Sequence, residues 1–357
     1  MNNFSEIVQE NLDKMGFKKL TAVQEKAIPR AFQGRSFWAR SPTGTGKTAA
    51  FIIPLVERAI VDSSFRVLVL EPSRELAIQA ANECRKIAQG AGVLTVAAYG
   101  GTDVDRQVEL LEKGAQIIIG TTGRVRELIE KHALKPQGVR VLVLDEADRL
   151  LSEQFEKKTL FLVKALPQTR QTMFFSVQAS PSLLKKAEKF TESSLELVKV
   201  GTVSQSTIKH EFVVTEKKGR KLAEFLKKNA RENAMVFCAT VEEVEALSKQ
   251  LYSLGEKALL LHSRMRSKRR HSAIRRFKQG EVGVLIATDV AARGMHFDDV
   301  KRVYSIGLPS SPEFYLHRAG RTGRMHKKGV CTSIVSKKQV KDLLNIYASQ
   351  GITAIEK

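Results

Sequence analysis

Residues 41–48 read Ser-Pro-Thr-Gly-Thr-Gly-Lys-Thr, set between the apolar runs Phe-Trp-Ala at 37–39 and Ala-Ala-Phe-Ile-Ile at 49–53. Strand, glycine-rich turn and helix in that order make a phosphate cradle. The glycines let backbone N–H groups wrap an anion, and the helix N-terminus adds its positive dipole. Thr43, Gly44, Thr45 and Gly46 supply the loop, Lys47 is placed to reach β- and γ-phosphates, and Thr48 to ligate Mg2+. Ser41 stands where the general pattern has Gly, which is tolerated if its φ is negative. A chance glycine turn would not bring a strand before it and a helix after it. A second acidic site follows the run Val-Leu-Val-Leu at 141–144, where Asp145, Glu146, Ala147 and Asp148 stand in succession. An acid at the carboxyl end of a buried strand can hold Mg2+ through water, so Asp145 is the other metal candidate. The adjacent Glu146 can orient and deprotonate an attacking water. Three acids at the end of a sheet are costly without a cation to neutralise them.

Such a pair of sites needs parallel strands to present it, and the sequence offers them twice. Short aliphatic runs at 66–70, 95–98, 116–119, 140–144 and 172–175 alternate with amphipathic helical stretches. That pattern predicts a parallel sheet covered by helices on both faces. It lapses after Phe190. Residues 201–207, Gly-Thr-Val-Ser-Gln-Ser-Thr, read as a linker. The alternation restarts at 210–214, 234–238, 258–261, 283–287, 302–306 and 330–335. The expected architecture is therefore α/β, with domains at 1–200 and 208–357, as 357 residues suggest.

Composition narrows the class. A 43% hydrophobic content supports two packed cores, and a mean hydropathy of −0.19 is that of an ordinary soluble chain. No apolar run approaches the ~18–20 residues that cross a bilayer, and residues 1–6 show no secretory signal. The expectation is a cytoplasmic protein without a membrane partner. Three cysteines with no Cys-x-x-Cys pair support neither a disulfide framework nor a cysteine zinc site. The net charge of +21 favours a polyanionic partner, and it is uneven: residues 201–357 hold 30 Lys/Arg against 15 Asp/Glu. The run 264–278 alone carries eight Lys/Arg and no acid. Arg270 apart, the other seven read equally as a solvated helix face or as a patch for RNA.

Taken together the residues resemble the DEAD-box RNA helicases of helicase superfamily 2, over almost the whole chain. Gly16 and Phe17 with Gln24 are similar to the adenine-reading Q motif. The run 41–48 is motif I, Pro72 to Leu76 resembles motif Ia, and Gly100 with Gly101 fits the family's glycine pair. Thr121, Thr122, Gly123 and Arg124 resemble motif Ib, and Asp145 to Asp148 is motif II. In the second half, 236–238 resembles motif IV, 287–294 motif V and 317–324 motif VI. The resemblance implies two tandem RecA-like domains, ATP and Mg2+ as cofactors, and RNA held through its backbone. It implies a monomer that unwinds or remodels RNA locally, with ribosomal or messenger ribonucleoprotein as expected targets.

Site residues follow from the same resemblance. Phe17 and Gln24 join the loop residues in holding the nucleotide. Pro72, Arg74, Gly101, Thr121, Gly123, Arg124, Arg270 and Thr288 would contact RNA phosphate and ribose. Arg321 and Arg324, with His317, belong to motif VI and would act on the γ-phosphate as arginine fingers. Asp148 would couple that phosphate to the rest of the protein by accepting hydrogen bonds from Ser176 and the residue at 178. Here the chain departs from the family: Ser176-Val177-Gln178 replaces Ser-Ala-Thr, and His296 replaces an aspartate. Ser267, Ser263 and Leu20 also stand where the family has glutamine, glycine and proline. Phe4 reads as the first apolar face of a helix and not as the aromatic that precedes the Q motif. These departures keep open a second reading, an ATP-gated RNA clamp with weak unwinding. A P-loop kinase or metabolic ATPase would leave motif VI and the basic second half unexplained.

Overall fold

In the computed structural model, described for residues 4–42, 44–191, 195–200, 208–230, 232–292, 297, 300–309, 311–323 and 328–357, the chain divides into two compact units, Met1–Val203 and Ser204–Lys357. The linker expected at 201–207 lies outside the described residues.

The first unit holds β1 (Phe37–Arg40), β2 (Val67–Glu71), β3 (Thr95–Ala98), β4 (Ile117–Thr121), β5 (Val141–Leu144), β6 (Gln171–Ser176) and β7 (Glu196–Lys199). They form one parallel sheet in the order β3-β4-β2-β5-β6-β1-β7. The second unit holds β8 (Ile208–Val214), β9 (Ala234–Cys238), β10 (Leu259–Leu261), β11 (Val284–Thr288), β12 (Arg302–Ile306), β13 (Gly329–Val335) and β14 (Ala354–Glu356). Its order is β10-β11-β9-β12-β13-β8-β14, again parallel throughout. Position for position the two sheets are the same, as tandem RecA-like domains require.

Strands buried on both faces explain the continuous aliphatic runs in the sequence. Alternate residues point to opposite faces: Val67, Val69, Val141 and Val143 enter one core with the helix Lys47–Val61, and Leu68, Leu70, Leu142 and Leu144 enter the other. Two strands escaped the sequence pattern. β7 and β14 are short edge strands, and in β7 only Val198 is buried. Such edges lack the hydrophobic run that marks a central strand. No helix among the described residues is long and apolar enough to cross a membrane, and all three cysteines are buried.

Candidate active site

The residues that could handle phosphate gather at the carboxyl ends of β1, β2, β5 and β6, where parallel sheets bind ligands. Ser41 follows β1 and is fully buried; its N–H donates to the Ser176 carbonyl at 3.0 Å, and its Oγ lies 2.6 Å from Thr45 Oγ1. Gly46 caps the helix Lys47–Val61 at φ 88°, a conformation that suits glycine. A Cβ there would also come within 2.5 Å of Gln24 Nε2 and push that amide aside. Gln24 donates to the Gly46 carbonyl at 3.1 Å and accepts the Thr21 N–H at 2.8 Å. It thus joins the predicted adenine reader to the phosphate loop and closes the capping box of the helix Ala22–Phe32. Phe17 is half-buried against the same core. Lys47 Nζ donates to the carbonyls of Ser41 and Pro42, each at 2.8 Å, which holds its ammonium inside the loop. Gly44 is exposed, and Thr48 is half-buried on the first helical turn; Thr43 lies outside the described residues.

Asp145 follows β5, and its backbone N–H donates to the Leu70 carbonyl of β2 at 3.1 Å. Its Oδ1 accepts the Glu146 N–H at 2.9 Å. Burial pushes its carboxyl up to about 6, opposed by Lys47 and assisted by Glu146. Glu146 sits at φ 46°, ψ 50°, a left-handed conformation unusual for a side-chain-bearing residue and of the kind found at functional sites. Its Oε2 is buried without a hydrogen-bond partner, 3.9 Å from Arg149 Nη1. Two further acids, not singled out from sequence, feel the charge of Asp145. Glu71 at the end of β2 is fully buried and neither of its oxygens has a hydrogen-bond partner; burial, then Asp145 and Glu146, raise its carboxyl well above the usual range. Glu83, half-buried on the helix Arg74–Ile87, is pushed up to about 7 by burial and by Asp145, against Lys86. Buried acceptors in this number fit a hydrated cation. Among the described residues no three acid, histidine or cysteine groups converge closely enough to enclose a bare ion.

Next to the loop, Ser176 ends β6. Its Oγ accepts from Trp38 Nε1 at 2.8 Å and donates to the Gln178 carbonyl. Its one hydroxyl proton is therefore directed to the backbone and not to Asp148, contrary to the hydrogen bond that the resemblance implies. The cause is local: the turn at 177–178 folds its carbonyl back over the strand end, and Trp38, legible in sequence only as core, fixes the hydroxyl from the other side. Asp148 Oδ1 accepts the Arg149 N–H at 3.2 Å, and Gln178 is half-buried.

The expected RNA contacts of the first unit cluster at the ends of β2, β3 and β4. Pro72 is buried; Gly123 is exposed, and Thr121 is half-buried at the end of β4. Arg74 lies over the Tyr99 ring, 5.0 Å from its centroid, and against Gly101, whose φ of 78° and lack of a side chain admit Arg74 Nη1. Arg124, expected to meet RNA, is held by its own neighbours. It is buried, donating to Gln107 Oε1 and to the Thr102 carbonyl, both at 3.1 Å, with Glu127 2.9 Å from its Nε. Its guanidinium braces the glycine turn from inside the protein instead of standing in solvent.

In the second unit Thr288 ends β11 and is buried, and Arg270 Nη2 donates to the Ala291 carbonyl at 3.2 Å. His317 and Arg321 are both buried, Arg321 Nε donating to the His317 carbonyl at 3.0 Å. Arg324 and His296 lie outside the described residues. Between the expected residues sits one that sequence reasoning passed over: Arg318 is fully buried and binds Asp289 with two hydrogen bonds, at 2.6 and 2.7 Å. Its neighbours in motifs V and VI were the available signal. The helix Ser267–Lys278 carries the basic run, with Lys268, Arg269, Arg275 and Lys278 exposed.

Comparison with known proteins agrees with this layout. The DEAD/DEAH box helicase family model matches residues 21–185, and the helicase conserved C-terminal domain matches residues 217–326. The chain is 37% identical over 349 residues to the ATP-dependent RNA helicase CshA of Listeria monocytogenes, covering 95% of this chain and 67% of that protein. It is 37% identical over 346 residues to the DEAD-box ATP-dependent RNA helicase CshA of Bacillus cereus, covering 96% and 66%. The chain thus spans about two thirds of the length of these curated relatives. Among solved structures, Saccharomyces cerevisiae Dbp5 bound to RNA and ADP BeF3 superposes with a TM-score of 0.90 at 27% identity, covering 99% of this chain and 94% of that one. Mss116p bound to ssRNA and AMP-PNP gives 0.88 at 28%, covering 99% and 77%. By its sequence motifs, its pair of like-ordered sheets and these relatives, the chain belongs to the DEAD-box family of ATP-dependent RNA helicases.

Proposed function

We propose that this chain hydrolyses ATP with Mg2+ to open short RNA duplexes locally or to displace proteins from RNA, gripping the RNA by its backbone. The observation that carries the reading is the set of buried carboxyls at the ends of β2 and β5, beside the Lys47 loop. Lys47 and the loop N–H groups bind the phosphates, and Gln24 reads adenine from its place against Gly46. Thr48 and Asp145 would hold Mg2+, which when bound neutralises the charge that develops on the phosphates. Glu146 takes the proton of the attacking water. Arg321 and Arg324 would supply the cations that answer the γ-phosphate, a role supported by motif VI. Arg74, Gly101, Thr121, Gly123, Arg270 and Thr288 would hold RNA, with Arg124 keeping the glycine turn in place. The proposal extends to a monomer in the cytoplasm acting on ribosomal or messenger ribonucleoprotein, as the resemblance of the sequence motifs implies.

A specific observation favours the second reading, an ATP-gated clamp: the Ser176 hydroxyl is tied to Trp38 and the Gln178 carbonyl and so does not donate to Asp148. RNA-stimulated ATP hydrolysis and strand separation, measured on the same short duplex for the wild type and for a Val177→Ala, Gln178→Thr variant, separate the two. A helicase separates strands in proportion to hydrolysis. A clamp hydrolyses without separating, and the variant then raises the ratio.

A further inference from the structure

β2 is a central strand whose side chains alternate between two apolar cores. Val67 and Val69 face the helix Lys47–Val61, and by the same alternation Glu71 continues that row onto the phosphate side of the sheet. β2 and β5 are paired with Leu70 opposite Leu144, so the next residues, Glu71 and Asp145, rise side by side from neighbouring strands roughly 4.8 Å apart. The Asp145 N–H bond to the Leu70 carbonyl locks that register. At this place an ionisable side chain with no exposed surface needs donors or a counter-charge. Among the described residues Glu71 has no hydrogen-bond donor, both of its oxygens lacking a partner, and its neighbour across the strand pair is another acid, Asp145.

A hydrated divalent cation supplies both needs at once. Mg2+ gives up its waters reluctantly and is often held through them, and each such water offers protons to acceptors arranged around it. We propose that Glu71 is an outer anchor for the cation of the bound nucleotide, accepting from cation-bound water alongside Asp145. This rests on the reading of the β1 loop and Asp145 as a Mg2+-nucleotide site. Glu71 is thus a positioning residue, set where an unpaired carboxyl is otherwise a liability to the fold.

The test uses the full chain and labelled ADP. Affinity is followed by fluorescence anisotropy as Mg2+ is raised from EDTA, and Mn2+ occupancy in the presence of ADP is read by electron paramagnetic resonance. For Glu71→Gln, which keeps shape and removes charge, the Mg2+ half-point is expected to rise about 10-fold. Mn2+ occupancy should fall in parallel, while ADP affinity and melting temperature in EDTA do not fall. Glu71→Ala, which cannot accept a hydrogen bond, should shift the half-point as far. A half-point within twofold of wild type in Glu71→Gln, with Mg2+ still promoting ADP binding in the wild type, overturns the proposal and leaves Glu71 a neutral buried acid. A shift in Glu71→Ala alone, together with a lowered melting temperature in EDTA, identifies a packing role and also overturns it. Wild-type ADP binding indifferent to Mg2+ would instead bring down the underlying cation site, and Glu71's role with it.

Discussion

The two units share one strand order, yet they bury charge at the carboxyl ends of their strands in opposite ways. In the second, Arg318 and Asp289 are both buried and complete each other through two hydrogen bonds. In the first, Glu71, Asp145 and Glu146 crowd like charges together and leave three oxygens of Glu71 and Glu146 without a hydrogen bond. A closed set of charges holds its own loops in place. An open set is unstable by itself and becomes satisfied only when a ligand brings the missing charge and donors, which is how a binding site differs physically from a scaffold. The contrast tells which buried charges to expect in chemistry and which in positioning.

The largest effect should come from the open set. Glu146→Gln is expected to lower ATP turnover by about 10²–10⁴-fold while nucleotide and RNA binding persist; steady-state hydrolysis beside equilibrium binding checks it. Turnover at the wild-type rate would break the assignment. Next comes the closed set. Arg318→Ala leaves Asp289 buried and unpaired, which should destabilise the second unit by about 3–5 kcal/mol in denaturant unfolding. Replacing both partners, as Arg318→Met with Asp289→Leu, should cost much less. Equal costs for the single and double changes would show that the pair does not act as a pair.

A third expectation concerns pH. His210 in β8 faces the Tyr315 hydroxyl at 2.6 Å, with Cys331 of β13 and Ala354 of β14 as its strand neighbours, and burial lowers its pKa to about 4. Because the folded value lies below the ordinary one, the neutral ring is the form the fold accepts. Its stabilisation is complete above about pH 6.5 and is lost as pH falls toward 4. Urea midpoints should report a loss on the order of 2 kcal/mol between pH 7 and 5, and His210→Gln should flatten that slope. An unchanged slope would place the acid sensitivity elsewhere. The smallest effect is expected on the basic helix. If Lys268 or Arg269 meets RNA phosphate, alanine at either should reduce the slope of log affinity against log salt by about 0.7. No change in slope assigns that face to solvent.

Much of this was legible in the amino-acid sequence, for reasons of range. The glycines, lysine and threonine of 41–48, the Asp-Glu pair after a run of Val and Leu, and the alternation that predicts parallel sheets are all local patterns. Each acts through backbone geometry within a few residues. Hydrophobic runs marked twelve of the fourteen strands, the edge strands β3 and β10 among them, while β7 and β14 at the opposite edges, half exposed, carried no such mark.

The sequence by itself determined which residues could do chemistry, because side-chain type and backbone period are properties of the local chain. Only the tertiary structure decided which of them are satisfied. Arg124 turns inward because Gln107 and the Thr102 carbonyl meet it there. The Ser176 proton goes to Gln178 because Trp38, 138 residues away, holds the oxygen from behind. Glu71 looks like one more residue at the end of a strand until β5 sets Asp145 beside it. Hydrogen bonding and charge depend on neighbours brought together by folding, so whether a buried group is a brace or an open binding position is settled by packing and not by spacing along the chain.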